Sequence, residues 1–172
     1  MMNPVGEKEI RRAFVNCSKG EASRINLPRS LPEFPWADLD FLGWRDPGAP
    51  DRGYVVAERQ GELVGVTLRV AQDVRRSFTK STVCSICVTP HSGSGVALFV
   101  APRVGAAGRQ GNTVGTYICA DLACSLYMRD IKRSEVGVRF EETLTMEERI
   151  ARTTVNLENF LDKVFDGDLR SA

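Results

Sequence analysis

Apolar residues in the middle of this chain come as short β-branched runs broken by polar, glycine-containing stretches, while both ends carry apolar positions at helical spacing. Near the start, Ile10, Ala13 and Phe14 fall on one side and Lys8, Arg11 and Arg12 on the other, which predicts a short amphipathic helix over 6–16. Pro28, Pro32, Pro35, Pro47 and Pro50, with Gly43 and Gly48, then place too many breakers between residues 20 and 50 for a long helix or a central strand. The expectation there is an ordered coil whose Phe34, Trp36, Leu39, Phe41, Leu42 and Trp44 drape over a sheet face, because disordered linkers seldom carry such residues.

Tyr54-Val55-Val56-Ala57, a polar turn around Gly61, and Leu63-Val64-Gly65-Val66-Thr67-Leu68-Arg69-Val70 form a β-hairpin signature. Residues 95–101 and 113–118 read as a second pair of strands, joined by a glycine-rich segment over 102–112. Asp121 is placed to cap a helix running to about residue 132. The last element is the clearest: Thr145 and Glu148 fit a capping box, Ile150, Thr154, Leu157, Leu161 and Val164 recur at helical spacing, and Gly167 stands where a stop is expected.

With 172 residues, 42% of them apolar and 26% charged, the chain has the make-up of a globular protein, which excludes wholesale disorder, collagen and coiled coil. A formal net charge of +1 leaves no global footprint of a dedicated nucleic-acid binder. No apolar run approaches the ~18 residues that span a bilayer, and residues 1–7 lack a signal pattern, so the expectation is a cytoplasmic protein with no membrane partner. Charge is uneven, however. Over 67–110, Arg69, Arg75, Arg76, Lys80, Arg103 and Arg109 stand against Asp73 alone, a net of +5. This zone lies between two acidic ones: 31–66 holds seven acidic and three basic residues, 141–172 eight and four, each a net of −4. It is either an ordinarily solvated surface or a docking face for an acidic protein or ribosomal RNA.

Four of the five cysteines form two close pairs, Cys84/Cys87 and Cys119/Cys124, separated by 31 residues, while Cys17 stands apart as a packed thiol. In a reducing compartment that pattern points to metal rather than disulfide. Four thiolates make a soft tetrahedral shell suited to Zn²⁺. A Cys-x-x-Cys turn supplies half of it, and the wider second pair serves if Cys119 ends a strand and Cys124 begins a helix. Knuckle, hairpin and helix start, in that order, describe a treble-clef zinc finger. The alternatives are four buried thiols packed as small hydrophobes, or a redox Cys-x-x-Cys that leaves the second pair unexplained. His91, the sole histidine, ranks below the cysteines as a ligand and reads as a loop residue. A closed tetrathiolate leaves no position for an activated water, so the metal is expected to be structural.

No catalytic residues are assigned. A single histidine without Gly-x-Ser-x-Gly speaks against a serine hydrolase. Gly105, Gly108 and Gly111 match neither a dinucleotide fingerprint nor a P-loop, and Glu141/Glu142 and Glu147/Glu148 flank a helix start. The expectation is therefore a binding protein without a small-molecule substrate. Its candidate contacts are Arg75, Arg76, Arg103 and Arg109, with Phe99 and Tyr117 as aromatic anchors, core packing being the alternative for both aromatics.

The combination of Phe41-Leu42-Gly43-Trp44-Arg45-Asp46, the Cys84-Ser85-Ile86-Cys87 knuckle and Gly115-Thr116-Tyr117-Ile118-Cys119-Ala120-Asp121 running on to Cys124 resembles the FBP-type, C-terminal treble-clef zinc-finger family of elongation factor G-binding proteins, which includes fusidic-acid resistance proteins. The resemblance is clearest from Leu39 to Cys124. It implies Cys84, Cys87, Cys119 and Cys124 as zinc ligands, and a protein that docks on elongation factor G through its zinc lobe and helps it leave the ribosome. A ribosome- or RNA-binding zinc module acting without that factor is the other reading. The fold expected is α+β: an N-terminal lobe over 1–80 with a short helix, a proline-rich coil and a hairpin, a treble-clef zinc-finger lobe over 81–135, and within 136–172 a C-terminal helix packing on both.

Overall fold

The computed structural model of the chain describes residues 1–71, 83–134 and 143–166. In order, the elements are α1 (Glu7–Ala13), α2 (Lys19–Arg24), two single 3-10 turns, β1 (Phe41–Asp46), β2 (Ala49–Arg59), β3 (Glu62–Val70), β4 (Val96–Pro102), α3 (Ala106–Arg109), β5 (Thr113–Cys119), α4 (Cys124–Met128) and α5 (Met146–Phe165). The α+β class holds, with one antiparallel sheet in the order β1-β2-β3-β4-β5.

Both expected hairpins form. β2 and β3 turn through Gln60 and Gly61, each with positive φ, the conformation that matches hairpin twist. β4 and β5 pair from Val96↔Cys119 to Pro102↔Thr113. Short pairing of Arg69 with Val100 and Val70 with Phe99 joins the hairpins into one sheet. The 20–50 stretch, expected as coil, contains β1. Its prolines and Gly48 lie outside the six-residue strand, and β1 sits at the sheet edge, where flanking breakers cost no ladder bonds.

Strand alternation gives the sheet two buried faces. Phe41, Val55, Ala57, Val66 and Leu68 point to one side, where α5 contributes Leu157, Phe160, Leu161 and Val164. Leu42, Trp44, Tyr54 and Val56 point to the other, against Ile10 and Phe14 of the α1 region and Trp36 and Leu39. The sheet is thus a middle layer, and its period of two separates the two cores. Asn16 fixes the first layer to it. Its amide donates to the carbonyls of Thr67 and Pro102, both at 3.0 Å, and its carbonyl accepts from the Thr67 N–H at 2.8 Å.

The closing helix begins as expected: Thr145 accepts from the Glu148 N–H and Glu148 from the Thr145 N–H. Arg59 at the end of β2 bonds to Glu158 and Asp162 and lies over the Phe165 ring, tying α5 to the sheet. α4 is shorter than expected, because Leu122 and Asp130 on either side of it adopt left-handed backbone. Among the described residues no helix is long and apolar enough to cross a membrane.

Candidate metal centre

Each of the four paired cysteines is delivered by the end of an element. Cys84 and Cys87 lie on the turn before β4, a loop closed by the Val88 N–H donating to the Cys84 carbonyl at 2.9 Å. Cys119 is the last residue of β5 and Cys124 the first of α4. The knuckle is fastened to the hairpin by the Ser85 N–H donating to the Tyr117 carbonyl, and to α5 by the Asn156 amide donating to the Ile86 carbonyl at 3.0 Å. All four cysteines are buried, none more than 2% exposed.

Their sulfurs converge. Cys84 Sγ is 3.7 Å from Cys124 Sγ, Cys87 Sγ is 3.5 Å from Cys119 Sγ, and all four lie within 4.8 Å of one another. A tetrahedral zinc with Zn–S bonds of about 2.3 Å separates its sulfurs by about 3.8 Å, close to the 3.7 and 3.5 Å of these two pairs, so the quartet has the spacing such an ion takes. Hydrogen bonds from Cys119, Cys124 and Cys87 pull the Cys84 thiol well below its ordinary range, while burial pushes Cys124 far above it. A cation held at the centre would let four such dry sulfurs ionise together. The knuckle amides of Ile86 and Cys87 point at Cys84 Sγ at 3.3 and 3.4 Å, and Thr89 Oγ1 lies 3.1 Å from Cys87 Sγ. Convergence of both pairs on one point favours a metal shell over a separate redox pair. Cys17 lies outside the cluster, its thiol pushed up by burial and by the nearby Glu21 carboxylate.

The four residues between Cys119 and Cys124 have a use that sequence reasoning missed. They carry Leu122 into the sheet, where it is 1% exposed, against β1 and β2. A Cβ on Gly43 would come 2.4 Å from the Leu122 carbonyl oxygen, so only glycine lets the loop sit down on the edge strand. Two residues on, Arg45 donates to the Ala120 carbonyl at 3.2 Å and lies over the Phe99 ring. Gly43 and Arg45 thus share a face of β1 that cradles the metal loop. The signal was present as the Gly-Trp-Arg-Asp motif, but the Ala120 that Arg45 meets lies 75 residues away.

His91 is also more than a loop residue. It is 5% exposed, and its Nε2 lies 3.2 Å from Cys119 Sγ. Asp121 accepts from the Ala123 N–H at 3.1 Å just ahead of α4, and from Tyr127 and Lys132.

The expected contact residues are dispersed. Arg109 is exposed at the end of α3, and Tyr117 is 37% exposed on β5. Arg103 is half-buried and donates to the Lys163 carbonyl in the last turn of α5, so its guanidinium serves the fold. Phe99 is corrected: it is 0% exposed, points into the core between sheet and α5, and offers nothing to a partner. Arg75 and Arg76 lie outside the described residues. In the 102–112 segment Gly108 serves the chain itself, since a Cβ there would strike the Arg103 carbonyl oxygen at 1.7 Å.

A buried tetracysteine cluster joining a knuckle, a hairpin and a helix start defines a treble-clef metal-binding protein, here built onto the end of a five-stranded sheet. The chain belongs to the FBP C-terminal treble-clef zinc-finger family, whose sequence profile matches residues 9–164. Among solved structures it is similar to the fusidic acid resistance protein FusC, with 17% identity and a TM-score of 0.46 over 84% of this chain and 57% of that one. The chain therefore spans little more than half the length of that protein. No curated protein sequence matches it.

Proposed function

We propose that this protein is a non-catalytic, zinc-binding accessory translation factor that docks on elongation factor G, with Cys84, Cys87, Cys119 and Cys124 as the zinc ligands. The observation that carries the reading is the buried sulfur quartet at the junction of knuckle, hairpin and α4. Four protein ligands close a tetrahedral shell, which assigns the ion a structural role and directs function to the surface it stiffens. Membership of the FBP C-terminal treble-clef zinc-finger family, together with the sequence resemblance to elongation factor G-binding proteins, supports that factor as the partner. A surface held in one pose loses less conformational freedom on docking, so affinity improves without added contacts. Arg109 and Tyr117 are the exposed members of the candidate set. Arg75 and Arg76 extend the same basic zone of the sequence.

The test is binding of the purified, zinc-loaded chain to purified elongation factor G. Binding at micromolar concentration or tighter is expected, with Arg109→Ala and Tyr117→Ala together weakening it about tenfold. No binding at micromolar concentration overturns the reading. The net charge of +5 over 67–110 favours a second one, a ribosome- or RNA-binding zinc module. Binding to ribosomes stripped of the factor, falling steeply as salt rises, is its signature.

A further inference from the structure

We propose that His91 is a positioning residue of the metal centre: its imidazole Nε2–H donates a hydrogen bond to the Cys119 thiolate and holds that sulfur in the ligand set without entering it. The inference rests on the metal-centre reading above and goes beyond its four ligands.

The geometry is specific. Nε2 stands 3.2 Å from Cys119 Sγ, a hydrogen-bonding distance to sulfur, while the metal shell itself is made by four cysteines that already suffice for a tetrahedron. Cys84 Sγ receives the amides of Ile86 and Cys87, and Cys87 Sγ has the Thr89 hydroxyl beside it. For Cys119, the group other than cysteine that reaches the sulfur among the described residues is His91.

The ring is also built into place. It is buried, and it packs edge-on to Tyr127 with centroids 4.7 Å apart at 89°. Tyr127 is itself anchored, its hydroxyl donating to Asp121 at 2.8 Å. Gly95 also lies against it: a Cβ there would fall 2.5 Å from His91 Cβ and 2.9 Å from Nδ1. Only a residue without a side chain leaves the imidazole this seat, and the Ala120 N–H donating to the Gly95 carbonyl keeps the wall beside the Cys119 loop.

The chemistry follows. Four thiolates around a divalent cation carry a net charge of −2, and a buried N–H aimed at one sulfur draws off part of it. That sulfur then binds protons and electrophiles less well, and its metal bond breaks more slowly. The role is orientation and charge relief, in the manner of groups that support ligands in other metal sites.

The experiment loads the full chain with Co²⁺ or Zn²⁺ and compares wild type with His91→Phe, which fills the seat but cannot donate, and His91→Gln, which can. In the cobalt form, His91→Phe should shift the sulfur-to-cobalt charge-transfer band to lower energy and speed metal transfer to a competing chelator about tenfold, with His91→Gln recovering much of both. Unchanged band and transfer rate in a folded, loaded His91→Phe overturn the inference while leaving the metal centre intact. Wild type that takes up neither ion overturns both. Should His91→Phe fail to fold, the ¹⁵N shifts of the imidazole in zinc-loaded wild type decide: a proton on Nε2 supports the proposal, and a bare or metal-bound Nε2 sinks it.

Discussion

Asp46 shows how one side chain can close the turn at the end of an edge strand, where the β1–β2 register shifts. Its carboxylate accepts from Asn26 at 3.0 Å, from the Gly48 N–H at 2.8 Å and from the Tyr54 hydroxyl at 2.9 Å, closing the turn between β1 and β2. Burial works against its ionisation, but the bonds from Asn26, Gly48, Tyr54 and Ala49 outweigh it and hold its pKa below the ordinary value. The same pairing, after the effect of burial, pushes Tyr54 up to about 12. A carboxyl with a lowered folded-state pKa stabilises the fold above its unfolded value of about 3.9 and ceases to do so as pH falls through the lower folded one. Asp46→Asn should therefore be less stable than wild type at pH 7, and the gap should shrink as pH drops below about 4. Parallel urea titrations across that range measure it, and a gap independent of pH would contradict the assignment.

Among elements, α5 packs one face of the sheet and also reaches the knuckle. Its start depends on the reciprocal bonds of Thr145 and Glu148, so Thr145→Ala should cost about 1 kcal/mol by urea unfolding, with metal affinity unchanged. This helix was legible in the sequence because both its cap and its stripe are local. β1 was not. Read alone, Phe41–Asp46 is a short mixed segment interrupted by Gly43 and closed by charged Arg45 and Asp46, with prolines on either side, and it becomes a strand because Val55 and its neighbours in β2 present a ladder to it. The short α4 illustrates the reverse: local pattern favours a helix to residue 132, but Leu122 must plug the sheet and Asp130 must turn the chain, and both take left-handed backbone to do so.

Across the molecule, the metal cluster is the point where separate parts meet. The loop from Cys119 to Cys124 rests on β1 through Gly43 and Arg45, and Asp40 ahead of that strand pairs with Arg129 beyond α4 at 2.6 and 2.9 Å. The knuckle in turn touches α5. Structural zinc contributes ~10–16 kcal/mol in isolated finger peptides, comparable to the whole stability of a domain. Stripping the metal with a strong chelator should therefore lower the melting temperature sharply and raise amide exchange first in the knuckle, β5 and α4. The Phe14–Trp36 side of the sheet should respond last. Hydrogen exchange by mass spectrometry reads this directly, and unchanged protection after complete metal removal would refute a structural role.

The sequence by itself determined whatever depends on near neighbours: the two hairpins, the capped final helix, and the pairing of cysteines that marks a tetrahedral thiolate shell. Those signals survive without tertiary context because a β-branched run, a cap or a Cys-x-x-Cys loop spans only a few residues, and the strands of each hairpin are neighbours in sequence. Tertiary structure alone decided that the hairpins share one sheet, that Phe99 is core, that Arg103 is spent on the end of α5, and that His91 faces a sulfur. Each of those outcomes depends on groups tens of residues apart along the chain. Which face of a residue is buried, and what meets it there, is fixed by packing rather than by local propensity.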